Sequence, residues 1–288
     1  MIAYNPKNWF TFIFKLHKAD TVRKLFPMLL AIAVYVALVV YVELDVLHLA
    51  EDHHLKNITT MHSLLGFVIS MLLVFRTNTA YDRWWEGRRL WGGLINSARN
   101  LALKLTAMLP ADDVASRTYF KQLIVEYAFA LKNHLRGHHK EHDLFVSKFT
   151  VDMAMHKPNQ IAKLLFVKTH ELHQAGVFSG EQILYLNEEL RSFTDICGAC
   201  ERIKNTPIPF SYSVFLKKFI FFYVMTLPLG NGFSLGYLSV PVVVFVFYVL
   251  TSLELIAEEI ENPFGIDAND LPLTSMCNNI KKHLDELL

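Results

Sequence analysis

The sequence predicts an all-α, polytopic membrane protein: four transmembrane helices, with a helical cytosolic domain between the second and third. Three observations carry this. Of 288 residues, 52% are hydrophobic and the mean hydropathy is +0.27, more apolar than an ordinary soluble chain. Four apolar runs approach the length needed to cross ~30 Å of hydrocarbon. The polar middle, Leu101 to Thr206, lacks the alternation of strands and has no internal repeat. A net charge of +1 supplies no field for nucleic acid, and three cysteines do not make a disulfide framework.

In chain order, the leader Met1 to Lys24 mixes Trp9, Phe10, Phe12 and Phe14 with Lys7, Lys15, Lys18, Arg23 and Lys24, which suits an interfacial helix on the cytosolic side. The first span covers about Leu25 to Leu44, with Pro27 near its start, where a missing N–H costs little. No small-residue cleavage site follows, so the span is expected to be retained. The next loop carries Glu43, Asp45, Glu51 and Asp52 against Lys56 alone and is placed outside by its lack of basic residues.

The second span begins near Ile58 and organises the chain. From Thr59 to Gly92 no proline interrupts a run that is polar, then wholly apolar from Leu64 to Phe75, then charged and aromatic from Arg76. The apolar part measures only roughly 18 Å at 1.5 Å per residue, short for a lipid-exposed span. Steps of four give Thr59, Ser63, Phe67, Met71, Phe75 and Thr79, flanked further on by Asn78 and Asp82. A water path with an apolar constriction would use such a line; core or lipid packing of Phe67, Met71 and Phe75 is the other reading. Gly66 and Ser70 form a small-xxx-small pair that admits a neighbouring helix. Arg76 either snorkels or pairs with Asp82 or an acid of the fourth span.

In the middle section, Asp112 or Asp113 caps a helix that Gly137 ends, Pro158 and Gly176 bracket a second, and Ser179 with Gln182 has capping-box spacing for a third, reaching about Ile203. TPIPF, Thr206 to Phe210, breaks the helical pattern. The third span is expected to end at Pro228 and Gly230, and the fourth to hold Pro241 inside it. After the acidic stretch from Glu254 to Asp270, the tail beyond Pro272 reads as an amphipathic helix. The domains expected are 1–100 (leader, first two spans and the extension of the second), 101–206 (helical cytosolic domain), 207–260 (last two spans) and 261–288 (acidic turn and terminal helix).

Few motifs point to catalysis. His134, His138 and His142 are spaced for one helical face and make a membrane-bound metal-dependent enzyme an alternative reading, although Gly137 interrupts that face. His170 and His173 lack HExxH spacing, and the Cys197–Cys200 pair has neither a second pair nor a thioredoxin-like context. Walker, GxGxxG and GxSxG motifs are missing.

Three stretches carry a family resemblance: RTNTAYDRWWEGRRLWG (Arg76 to Gly92), CERI through TPIPFSY (Cys200 to Tyr212) and AEEIENPFGIDANDLPL (Ala257 to Leu273). In this order, over essentially the whole chain, they resemble a bacterial bestrophin homologue. The resemblance implies a homopentameric ion channel in the bacterial inner membrane, with both termini cytoplasmic, surrounded by lipid and passing small monovalent ions, chloride or sodium and potassium. It implies that Phe67, Met71 and Phe75 form an apolar pore neck. It also implies a second constriction at the cytosolic exit, near Gln182, Ile183 or Leu184, with Ile183 as the position chosen. The calcium clasp of animal members falls on Glu259, Asn262, Asp267 and Asp270, all oxygen donors suited to a hard cation. The competing reading is a turn at Asn262, Pro263 and Gly265 whose acids cap the next helix. No cofactor is expected to be required; calcium at that turn is the one candidate. A non-conducting scaffold on the same oligomer is the remaining alternative.

Overall fold

A computed structural model describes residues 21–48, 58–137, 152 and 155–288. Most of the basic leader, and His138, His139 and His142, lie outside the described residues. Within them every regular element is helical: α1 (Thr21–Tyr41) with a π-helical turn (Val42–Val46), α2 (Ile58–Met108), α3 (Val114–Arg136), α4 (Lys157–Gln174), α5 (Gly180–Asn205), α6 (Phe210–Leu235), a 3-10 turn (Gly236–Leu238), α7 (Ser239–Glu261) and α8 (Leu273–Leu287). Four of these segments are long and apolar enough to cross a membrane: Thr21–Val46, α2, Phe210–Leu229 and Gly236–Glu261. The chain is a multi-pass membrane protein.

The helices fall into two compact units. The apolar unit comprises the described residues up to Arg83 together with Pro207–Glu261. Its core is aliphatic: Val36 and Val40 from α1, Ile69 and Leu73 from α2, Leu216 and Val224 from α6, and Val243 and Phe247 from α7. Large side chains on the other faces, such as Phe26, Phe222 and Phe245, stay exposed, as expected where lipid replaces water. Tyr223 of α6 packs over Gly66: a Cβ there would stand 2.9 Å from the Tyr223 hydroxyl. The small pair therefore works through its glycine, while Ser70 stays exposed.

The other unit holds Trp84–Thr206 and Asn262–Leu288. Trp91, Leu94, Ala98, Leu101, Ala102 and Leu105 of α2 pack with Phe120, Leu131, Phe193, Cys277 and Leu284 in one core. Its helix ends follow from local chemistry. Asp113 accepts the Ser116 N–H at 2.9 Å to start α3, and Gly137 at φ 72° ends it. Ser179 and Gln182 form a reciprocal capping box at the start of α5. His156 caps α4, with Pro158 in the first turn.

Two boundaries differ from expectation, the one at residue 101 and the end of the third span. α2 continues past Gly92 and Gly93 to Met108, because the apolar face beyond them is fully buried and outweighs the ~1 kcal/mol that each helical glycine costs. A domain boundary at residue 101 would thus cut a continuous helix, and the unit also takes in 262–288. α6 runs through Pro228 and stops at Gly236, whose φ of 53° favours glycine; apolar helices tolerate proline where neighbours satisfy the freed backbone. Pro241 lies in the first turn of α7, where N–H groups lack intrahelical partners anyway.

Candidate pore-lining site

The apolar belt of α2 presents one face to the outside of its unit. Phe67 (68%), Met71 (44%) and Phe75 (56%) are exposed, whereas Ile69 and Leu73 one step round are buried. Two more side chains share that face, Leu64 (67%) and Val74 (56%). Strict steps of four overlook them. A helix turns ~100° per residue, so each step of four drifts ~40°, while a step of seven returns to within ~20°. Val74, seven residues after Phe67, therefore stays centred where Phe75 has drifted to the side. Polar residues flank the belt on the same face: Thr60 and Ser63 before it, Asn78 and Asp82 after it, all exposed. The hydroxyls of Ser63, Ser70 and Thr79 bond to the carbonyls of Thr59, Gly66 and Phe75, which satisfies them within the helix and keeps the face smooth.

The rotation of α2 is pinned at both ends of the belt. At its start, buried His62 lies 2.9 Å from the Ile58 carbonyl through Nδ1 and 3.0 Å from Thr226 Oγ1 of α6 through Nε2. At its end, Arg76 is 2% exposed and directs its guanidinium to α7, where Nη2 donates to Glu261 Oε2 at 2.7 Å and Nε lies 3.5 Å from Glu254 Oε2. The partners are thus acids of the fourth span; Asp82 is exposed on the opposite face. Glu261 is a hub. Its Oε1 accepts the Ile208 N–H at 2.7 Å, and its carbonyl accepts Arg83 Nε at 3.0 Å. Tyr212 adds a bond to the Leu72 carbonyl at 2.9 Å. These contacts turn the aliphatic side of α2 inward and leave Phe67, Met71, Val74 and Phe75 outward.

A model of the bacterial and fungal bestrophins matches residues 1–286. The chain belongs to the bestrophin family. It is 37% identical to the voltage-dependent anion channel-forming protein alr2987 of Nostoc, over 77% of this chain and 75% of that one. With the voltage-dependent anion channel-forming protein YneE of Escherichia coli K12 it shares 31% identity over 98% and 92% of the two chains. The fold matches a crystal structure of a bacterial bestrophin homologue from Klebsiella pneumoniae at a TM-score of 0.79 and 30% identity, covering 92% of this chain and 98% of that one.

In this bestrophin the acidic turn is held by its own bonds. The Leu271 N–H donates to the Pro263 carbonyl at 2.9 Å, and Asp270 Oδ2 accepts the Asp267 N–H at 2.6 Å. The turn docks on α2 within the same unit: Trp84 Nε1 donates to the Asn269 carbonyl at 3.0 Å, and Gly87 faces the Pro263 and Phe264 rings. Asp270 closes the turn, and Pro272, the N-cap of α8, has no side chain that could cap it. Glu259 belongs to the other unit, where it forms an ion pair with Lys24. Arg136 Nε reaches the Phe264 carbonyl at 3.4 Å, so a guanidinium borders the cleft that Asp267 and Asp270 line.

A Cβ at Gly87 would lie 3.0 Å from Pro263 Cγ and 3.1 Å from Phe264 Cε1. Gly87→Val is expected to destabilise the protein by about 2 kcal/mol, in the range of core overpacking, and to lower its melting temperature. An unchanged melting temperature would mean that the turn is not seated on α2.

At the expected exit constriction, Ile183 is half-buried against the core of its unit, while its neighbour Leu184 is 74% exposed. The capping box that starts α5 sets this rotation and directs Leu184 outward.

Burial also settles the cysteines. Cys197, Cys200 and Cys277 are all buried free thiols, and desolvation pushes the pKa of Cys197 and of Cys277 up to about 12, which disfavours the reactive thiolate.

Proposed function

We propose that the protein is a pentameric channel for small monovalent anions, with the exposed stripe of α2 lining a central pore. Membership of the family makes it an ion-channel protein and not a metal-dependent enzyme. The observation that carries the pore reading is the stripe itself: an apolar belt, polar at both ends, facing away from its own unit on a helix pinned by His62 and Arg76. Lipid contact alone gives no reason for polar residues above and below the belt on one line. Five copies around an axis would place rings of Phe67, Met71, Val74 and Phe75 in a neck that gates by dewetting and side-chain rotation. An apolar ring discriminates poorly by charge, so selectivity falls to vestibule charges and helix dipoles. The names of the Nostoc and Escherichia relatives support anions. The reading places the channel in the inner membrane with both termini cytoplasmic and lipid around the spans. Of Gln182, Ile183 and Leu184, Leu184 is the exposed one and takes the place of Ile183 as the exit constriction on this reading.

The test is current across a planar bilayer holding the purified protein under a tenfold KCl gradient. Reversal near the chloride equilibrium potential supports the reading, and reversal near the potassium value overturns its sign. Silence in the parent and after alanine opening of the belt leaves a non-conducting scaffold.

The acidic turn, on this reading, needs no resident calcium. Calcium or a chelator should leave the melting temperature of the purified protein unchanged. A site filled at 100 times its Kd would add about 2.7 kcal/mol, so a calcium-dependent rise would be plain and would overturn this reading.

A further inference from the structure

We propose that His134, His156 and Glu201 form a binding site for a zinc-class divalent transition ion, apart from the pore and the acidic turn. The three side chains come from separate elements: the last turn of α3, the N-cap of α4 and the interior of α5. Both imidazole Nε2 atoms lie 2.6 Å from the same oxygen, Glu201 Oε1, and the two rings are 4.4 Å apart between centroids. All three ligand atoms fall within 4.8 Å of one another. A tetrahedral zinc with bonds of about 2.0–2.2 Å separates its ligands by about 3.3 Å, so outward shifts of less than an ångström would admit the ion. Two imidazoles and one carboxylate are a donor set that zinc uses with a fourth position open to water. The side chains are 24%, 31% and 29% exposed for His134, His156 and Glu201, which provides an entry path.

The surroundings bear on the chemistry in both directions. Burial holds the His134 imidazole below its usual value, which keeps it neutral and able to ligate. Burial opposes ionisation of Glu201, but the hydrogen bonds from His156 and His134 outweigh it and hold its carboxyl below the usual range. Lys204 is the opposing charge; its Nζ is committed to the His134 carbonyl at 3.0 Å. The N-cap of α4 is the second cost. His156 Nδ1 accepts the Asn159 N–H at 3.2 Å, which places the ring proton on Nε2. Ligation through Nε2 moves that proton to Nδ1 and gives up the cap. The helix stays anchored by the ion in its place. The set differs from the His134, His138, His142 face drawn from spacing: the partners of His134 are remote in sequence, and only the fold brings them to it.

The experiment uses the full-length protein in detergent, stripped with a chelator and then titrated with Zn2+ by calorimetry and with Co2+ by visible absorption. The variants are His134→Gln, Glu201→Gln and His156→Asn. Asparagine keeps the N-cap while removing the imidazole, so a loss of binding in His156→Asn is not loss of helix α4. The expected result is one ion per chain, a tetrahedral cobalt spectrum, and binding weakened at least about 10-fold in each variant, the lower bound for losing even an outer partner. Melting temperatures of the metal-free variants close to that of the parent show that they are folded. Two results overturn the site: no stoichiometric binding by the parent, or binding unchanged in the variants, which would assign the ion to others of the 13 histidines.

Discussion

Replacing Phe67, Met71 and Phe75 together by alanine is expected to raise the single-channel conductance about tenfold. The constriction on this reading is steric and apolar, so ions cross it only when the belt is wetted. Removing two phenyl rings and a thioether per subunit widens each ring and lowers that cost. A drop of only about 1.4 kcal/mol in the barrier gives the tenfold change. Val74 extends the test beyond what steps of four along the helix would choose. Val74→Ala should also raise conductance, by less, because valine reaches less far toward an axis than phenylalanine. Phe245→Ala on α7 is the control: Phe245 is equally exposed but sits on another helix and should leave conductance unchanged. If the triple variant conducts like the parent while Phe245→Ala alters current, the stripe faces lipid and the pore lies elsewhere.

Arg76→Met is expected to destabilise the protein by about 3–5 kcal/mol, the cost of breaking a buried ion pair from one side. Glu254 is 3% exposed, and Arg76 lies within ion-pair distance of it, with Lys217 acting from further off. Without the guanidinium, its charge stays buried without its ion-pair partner. Glu261 suffers less because it keeps the Ile208 N–H. The double variant Arg76→Met, Glu254→Leu should therefore recover much of the loss, since removing both charges removes the desolvation penalty as well. Melting temperatures of the parent, both single variants and the double variant complete the cycle. Simple additivity would show that Arg76 and Glu254 do not interact. The clamp follows Phe75 directly, so Arg76→Met should also broaden the distribution of channel open levels as α2 gains rotational freedom.

Much of the fold was legible because its signals are local. Helix starts and stops depend on a few adjacent residues, so Asp113, Gly137, Pro158 and the Ser179–Gln182 box act as their types predict. Boundaries were illegible where tertiary packing overrules propensity, as where α2 runs on past residue 101 and α6 runs through Pro228. The apolar stripe was half legible. Phe67 and Met71 follow from steps of four, but Leu64 and Val74 emerge only when the drift of a 3.6-residue helix is followed over two turns. The partners of Arg76 were narrowed to acids near in sequence or on the fourth span, without a choice between them.

By itself the sequence determined the class of the protein. Four apolar runs, a polar helical middle and local caps specify an all-α membrane chain, because hydrophobic length and backbone satisfaction are properties of short segments. The three quoted stretches, from Arg76 to Leu273, carry its resemblance to bestrophins. Only the tertiary structure decided which acids hold Arg76, that Asp270 closes its turn, that Leu184 and not Ile183 is exposed, and that Glu201 gathers His134 and His156. Each of these depends on the rotation of one helix against another. That rotation is set by the whole packed interface and by side chains that meet across many residues of chain, a quantity no local pattern contains.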